Sequence, residues 1–359
     1  MLLEELLDTT KAADASDLHL VPGLPPTLRI AGELTPHGNA PLEAEALRQM
    51  LLPHLTEEEL YRVSSGQGDV RKTVRHNNSR FLFHVFCSQG DLTASMRAVP
   101  TNTPTLEMLN LGSEKMPVFA GITTLLRGLV LVTGHMGSGK TTLCAAFIEE
   151  INRNRSERII TVEDPIEYEF HSKKSLVSQR GVGEDVPSFE YGLRSTFAED
   201  PDVILISEAR NLETMAIALS LAETGHLVFI TMHMGSASQA VKRLIESYPE
   251  GQREEIRRTF ASVLQAVVAQ RLHPRASGKG RVPSHEVLLN TPRVRQMIAE
   301  GQTDLRVAIE AGRPQGMQTM DDSLVRLFEA GEISYETAWL HLEDKERIRR
   351  PEATNTKAE

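Results

Sequence analysis

The run Gly134-His135-Met136-Gly137-Ser138-Gly139-Lys140-Thr141 places its glycines and its lysine at the spacing GxxxxGK[ST]. A loop of this kind closes backbone N–H groups around a chain of phosphates. Lys140 reaches toward the β and γ phosphates, and the Thr141 hydroxyl can ligate Mg²⁺. The nucleotide-binding candidates are Gly134, Met136, Gly137, Ser138, Gly139, Lys140, Thr141 and Thr142. A strand-like apolar run at 128–133 precedes the loop and an apolar helical run at 143–148 follows it, which is the context the motif requires. The helix start adds its positive dipole end. The spacing admits ATP and GTP alike.

Acidic residues stand at the ends of two further strand-like runs. Glu163-Asp164 closes 158–162, and Glu208 closes 203–207. Phosphoryl hydrolysis needs a carboxylate near Mg²⁺ and a group that orients the attacking water. Glu163 and Glu208 can take these two roles in either order. His226 and His233 bracket a fourth run, 227–232. Opposite ends of one strand cannot share a metal ion, which excludes zinc there. His233 lies at the phosphate-loop end and can sense a γ-phosphate.

The elements that must position these groups follow from periodicity. Four aliphatic runs at 128–133, 158–162, 203–207 and 227–232 read as buried parallel strands with crossover helices between them. In such sheets ligands bind beyond the carboxyl ends of the strands. After residue 255 the chain reads as helical, most clearly at 321–330 with Thr319 as N-cap and Gly331 as stop. Leu2, Leu3, Leu6 and Leu7 share a helical face, and 42–64 has helical periodicity. Strand-like runs lie at 17–20 and 27–30, with Ala31-Gly32-Glu33 as a turn, and 80–87 pairs with 93–99 across 88–91. The first third is therefore a mixed α/β domain with an antiparallel sheet. The expected division is a domain at 1–100, a Pro-containing linker at 101–112, a second domain at 113–350 and a disordered tail at 351–359.

Composition narrows the class. The chain has 359 residues, 40% hydrophobic and 25% charged, with a net charge of 39 − 49 = −10. That balance is globular and argues against a protein that coats nucleic acid. Cys87 and Cys144 are too few for a disulfide framework or a four-cysteine zinc site, and both read as small buried filler in a reducing cytoplasm. The N-terminal run has no basic region followed by a long apolar one, and no apolar run approaches the ~20 residues of a membrane span. The expectation is a cytoplasmic protein held at any membrane by a partner, without direct insertion.

Together Gly134–Thr141, TVEDPIEY (161–168), EDPDVILISEAR (199–210) and ETGHLVFITMH (223–233) resemble the Walker A, Asp, Walker B and His boxes of secretion-superfamily ATPases. The flanks ASDLHLVPGLPPTLRIAGEL (15–34), SHEVLLNTP (284–292) and GMQTMDDSL (316–324) resemble the PilT/PilU retraction ATPases of type IV pili. The resemblance runs from about residue 2 to 348. It implies a PAS-like N-terminal α/β domain followed by a RecA-like P-loop ATPase domain with a helical C-terminal part. It implies a homo-hexamer that hydrolyses ATP with Mg²⁺ and acts on an inner-membrane pilus platform protein, peripherally at the pilus base. It also implies that Glu163 activates water, that Glu208 and Thr141 support the metal, and that His233, Arg80 and Arg97 join the catalytic set. Several positions depart from the pattern. Leu82 and Gly90 replace arginines, Ser207 a glycine, Ala198 an arginine, Asn211 an aspartate, and His135-Met136 the usual Pro-Thr. Two alternatives stand beside this reading. One is a weakly active subunit working with a paralogous ATPase, and the other is a traffic ATPase of a related type II or type IVB secretion system.

Overall fold

The computed structural model describes residues 2–349 apart from 31, 101, 110, 113 and 210. The expected tail at 351–359, Ala31 of the expected turn and Arg210 at the end of the Walker B-like box lie outside the described residues. The chain forms two compact units.

The first unit contains Met1–Thr103 together with Pro165–Glu169 and Gly181–Pro187. Its strands are β1 (Asp17–Leu20), β2 (Thr27–Ile30), β3 (Glu33–Pro36), β4 (Val70–His76), β5 (Ser79–Ser88) and β6 (Asp91–Val99). They form one antiparallel sheet in the order β3-β2-β1-β6-β5-β4. Helices α1 (Leu3–Ala12), α2 (Ala44–Leu51) and α3 (Glu57–Ser64) share a core with it. Strand alternation explains the sidedness: Phe81, Phe83 and Val85 of β5 point into that core, while residues 80 and 82 face the other way. The β5–β6 turn places Gln89 at φ 54° and Gly90 at φ 94°, the left-handed pair that a two-residue hairpin favours. An arginine at position 90 would be strained there. The segments 165–169 and 181–187 are tied to β4 and β5. Arg75 pairs with Glu169, and the Thr73 N–H donates to Glu184 at 2.7 Å. Cys87 is exposed at the end of β5, against the expectation of a buried filler; beyond Val85 the strand runs out of the core.

The second unit contains Pro104–Asp164, Phe170–Arg180 and the chain from Ser188 onward. Its strands are β7 (Gly128–Thr133), β8 (Arg158–Glu163), β9 (Leu176–Gly181), β10 (Val203–Ile206), β11 (Leu227–Met232), β12 (Leu264–Pro274) and β13 (Arg281–Leu289). The sheet order is β13-β12-β7-β11-β10-β8-β9. Strands β12, β7, β11, β10 and β8 are mutually parallel, and β13 runs antiparallel to β12. Every residue of β7, β10 and β11 is buried, as continuous aliphatic runs require when both faces are covered. The covering helices are α4 (Met116–Thr123), α5 (Lys140–Asn154), α6 (Phe189–Thr196), α7 (Leu212–Glu223), α8 (Ala237–Glu246) and α9 (Arg253–Val263). The rings of Phe119, Phe147 and Phe229 stack in sequence through α4, α5 and β11.

The expected helical character after 255 is corrected at two places. Residues 264–274 and 281–289 are the strands β12 and β13, and helices resume only with α10 (Pro292–Ala299), α11 (Arg306–Ala311), α12 (Met320–Glu329) and α13 (Tyr335–His341). A largely buried run such as Leu264–Pro274 carries no clear period that separates strand from helix. Helix α12 starts with a reciprocal capping box between Thr319 and Asp322. Among the described residues no helix is long and apolar enough to cross a membrane.

Candidate nucleotide site

The phosphate loop leaves β7 at Gly134 and enters α5 at Lys140, with Gly139 as N-cap at φ 84°. Close packing demands glycine twice. A Cβ on Gly134 would sit 2.4 Å from the Gln270 backbone oxygen, and one on Gly139 would sit 2.6 Å from Gln270 Nε2. Lys140 is only 7% exposed. Its ammonium donates to Gly134 O at 2.9 Å, to His135 O at 3.0 Å and to His233 Nδ1 at 3.3 Å. Met136, by contrast, is 90% exposed at the loop tip.

Three strand ends bring the remaining groups to this loop. His233 follows β11, and its Nε2 lies 2.8 Å from Glu208 Oε1, just beyond β10. An ammonium has only donors, so His233 Nδ1 accepts from Lys140. Its Nε2 faces Glu208. Lys140, His233 and Glu208 thus form one hydrogen-bonded chain across two strand ends. Glu163 ends β8 and is 2% exposed. Its Oε1 accepts from Thr161 Oγ1 at 2.6 Å and from Gln179 Nε2 at 3.0 Å. Cys144, one turn into α5, locates the charges around it. Burial pushes its thiol well above the usual range, the Glu163 carboxylate adds to that, and the Lys140 ammonium opposes it.

The site thus has a cation and helix N-terminus for phosphate, two carboxylates and an imidazole. Its oxygen donors, the Thr141 hydroxyl and one or two carboxylates, suit Mg²⁺, which takes few protein ligands beside phosphate oxygens and water.

Comparison with known proteins fits this chemistry. The type II/IV secretion system protein family matches residues 68–339. The type IV pilus retraction ATPase PilT of Pseudomonas aeruginosa is 37% identical over 346 residues, 94% of this chain and 97% of that protein. The type IV pilus ATPase PilU of the same species is 36% identical, covering 97% of this chain and 91% of that protein. The chain belongs to this family, in its PilT/PilU branch. A crystal structure of the pilus retraction motor PilT with bound ADP superposes with a TM-score of 0.87 at 35% identity, covering 97% of this chain and 99% of that one. The Legionella pneumophila ATPase DotB gives a TM-score of 0.79 at 26% identity, with 94% of each chain covered. The expected fold class stands: an N-terminal PAS-like α/β domain followed by a RecA-like P-loop domain. ATP hydrolysis, which loop spacing alone does not select over GTP, is the activity of the family.

The positions where the resemblance implies other residues have local physical accounts. Ser207, where it implies a glycine, accepts the Asp164 N–H on its hydroxyl at 3.2 Å. Asn211 caps α7 by accepting the Thr214 N–H, and its amide donates to Glu190 at 2.8 Å, which an aspartate would not do. That amide, with the Glu190 backbone N–H next, pulls the Glu190 carboxyl down to about 2. Nothing in the structure explains Ala198.

Within the first unit Arg80 is buried, with Nη2 at 3.1 Å from Glu167 O and Nε at 3.5 Å from Glu169. Arg97 is exposed and pairs with Asp17 at 3.0 Å. Leu82 lies directly across from Arg97 on the same face. His226, before β11, bonds to Thr224 and Leu221 and lies at the opposite strand end from the loop. Sequence reasoning passed over Thr161, Gln179 and Gln270. Thr161 was within reach, since i and i+2 share a strand face with Glu163. Gln179 and Gln270 come from strands with no readable signal.

Proposed function

We propose that the chain is a Mg²⁺-dependent ATP motor that works as a homo-hexamer to retract a type IV pilus, acting on an inner-membrane platform protein at the pilus base. The observation that carries the reading is the hydrogen-bonded chain Lys140–His233–Glu208, which joins the phosphate-binding cation to a carboxylate. The identity of 36–37% to PilT and PilU over nearly the whole chain supports the pilus as the object of the work. Identity to the Legionella pneumophila ATPase DotB is lower, 26%, and a traffic ATPase of a secretion system is the weaker alternative.

Burial supports a division of the two acidic roles. Bound Mg²⁺ would neutralise the β and γ oxygens, and it keeps several waters. Its protein carboxylate must therefore be open to solvent. Glu208 is 21% exposed, whereas Glu163 is 2% exposed and held by two donors. Glu208 with Thr141 suits the metal, and Glu163 suits the fixed base that orients water. In this reading Arg80 and Arg97 stabilise the transferred phosphoryl group in the assembled ring.

The test combines turnover and phenotype. Purified full-length protein should hydrolyse ATP in a Mg²⁺-dependent manner, elute as a hexamer, and lose nucleotide binding on Lys140→Ala. A deletion strain should be hyperpiliated and unable to twitch. A strain without pili would refute retraction. A second reading, an accessory subunit beside a paralogous ATPase, is favoured by Leu82 and Gly90 standing where the resemblance implies arginines. Weak basal turnover that rises with the paralogue would select it.

A further inference from the structure

Behind the phosphate loop runs a buried polar file that none of the nucleotide boxes contains. Gln270 of β12 is 5% exposed and donates from Nε2 to Ser138 O at 2.6 Å. Its Oε1 accepts from His285 Nε2 of β13 at 2.8 Å. His285 is 1% exposed, and its carbonyl accepts from Gln318 Nε2 at 2.8 Å. Arg326 of α12 in turn donates to Gln318 Oε1 at 3.2 Å.

The peptide unit gives this file a consequence for binding. In a planar trans peptide, the carbonyl of one residue and the N–H of the next point in opposite directions. Tying Ser138 O back to Gln270 therefore turns the Gly139 N–H forward, at the N-cap of α5 where phosphate binds. From this geometry we infer that Gln270 is a positioning residue for nucleotide, aiming the Gly139 N–H at phosphate, and that His285 fixes which way its amide faces.

The file admits one arrangement. A flipped Gln270 amide would set its oxygen against Ser138 O, two acceptors in contact. With the amide so oriented, Gln270 Oε1 takes the His285 Nε2–H, the tautomer that this pairing selects. Burial, with Arg326 adding to it, pushes the His285 ring down to about 3, so the ring is neutral wherever the enzyme works. The edge of Phe119 packs on it at 5.0 Å between centroids.

The inference rests on the nucleotide site described above, and the test separates the two. ADP affinity, ATP KM and kcat are measured on full-length protein for Gln270→Glu, His285→Leu and His285→Gln, with Lys140→Ala as control. Gln270→Glu keeps the size and exchanges the donor for an acceptor. It should weaken ADP and raise KM about ten- to hundredfold, while kcat at saturation changes far less. His285→Leu should follow in the same direction. His285→Gln keeps a donor for Gln270 Oε1 and should stay close to the parent protein. If Gln270→Glu fails to fold, the two His285 variants decide. Parent-like ADP affinity in folded Gln270→Glu, a fall in kcat with KM unchanged, or equal behaviour of the two His285 variants overturns the inference. If that happens while Lys140→Ala still loses nucleotide, the site stands and only the role of Gln270 falls.

Discussion

Replacing Glu163 by glutamine removes a base and keeps the size of the side chain. Glu163 meets Thr161 Oγ1 and Gln179 Nε2 through a single oxygen, Oε1. A glutamine carbonyl can occupy that place and accept both of these hydrogen bonds. The other oxygen becomes an amide nitrogen that cannot accept a proton. Loss of a positioned general base costs about 10²–10⁴ in rate. At ~1.36 kcal/mol per decade this is ~2.7–5.4 kcal/mol of activation free energy. Since the lost interaction belongs to the transition state, kcat and kcat/KM should fall together. Glu208→Gln behaves differently. Its amide must present oxygen to His233 Nε2–H, now 2.8 Å from Oε1, which leaves the NH2 toward the cation. The midpoint of a Mg²⁺ titration should then move to higher concentration. The assay is steady-state phosphate release by both variants across Mg²⁺ concentrations, with ADP binding as a check on folding. Turnover of Glu163→Gln within a few-fold of the parent would refute the base assignment. A shifted Mg²⁺ midpoint confined to the 163 variant would show that the two carboxylates have exchanged roles.

Three further outcomes are expected. Leu82→Arg places a cation directly across from Arg97, a like-charge pair that costs up to ~1 kcal/mol unless an anion offsets it. Basal turnover should rise if the site lacks arginine. A flat or lower rate beside robust parent turnover would remove the accessory reading. Gly139→Ala puts a Cβ 2.6 Å from Gln270 Nε2 at φ 84°, which for alanine costs ~1–2 kcal/mol before any clash, so ADP binding should weaken sharply in a titration. For Asp322, burial alone would raise the carboxyl, but hydrogen bonds from Arg313, the Thr319 N–H and Arg347 hold it well below the usual range. A depressed folded pKa gives stability that is full above the unfolded value of about 3.9 and lost as pH falls through the folded one. Asp322→Asn should therefore melt below the parent at pH 7, with the gap closing below about pH 4; a pH-independent gap would exclude this linkage.

What sequence could show depended on how strongly each element repeats its environment. Strands β7, β10 and β11 are buried at every position, so their aliphatic runs read as central parallel strands, and the groups that follow them read as site residues. Strands β1 and β2 stand where alternation places them. Strand β3 is exposed at all four residues and β4 carries Arg71, Lys72 and Arg75, so neither offers an apolar face to read. Strand β9, at the sheet edge, mixes Val177 with Ser178, Gln179 and Arg180, and it was passed over although Gln179 holds Glu163. Arg80 was legible as a charge on a strand, but its burial against Glu167 and Glu169 was not, because those partners come from 87 and 89 residues away.

Strands β12 and β13 mark a different limit. In LQAVVAQRLHP the residues alanine, glutamine, leucine and arginine are good helix formers, and burial removes the polar beat that would betray a strand. In RVPSHEVLL, Pro283 argues against a strand unless the strand lies at an edge. Strand β13 is that edge, and its partner across Pro283 is Leu272. Both facts depend on sheet order, which local patterning does not contain. The chemistry hidden by this ambiguity is specific. Gln270 and His285 are paired in register only because β12 and β13 are antiparallel neighbours. Read as helices, they would be two unrelated buried polar residues; read as strands, they become the support of the phosphate loop.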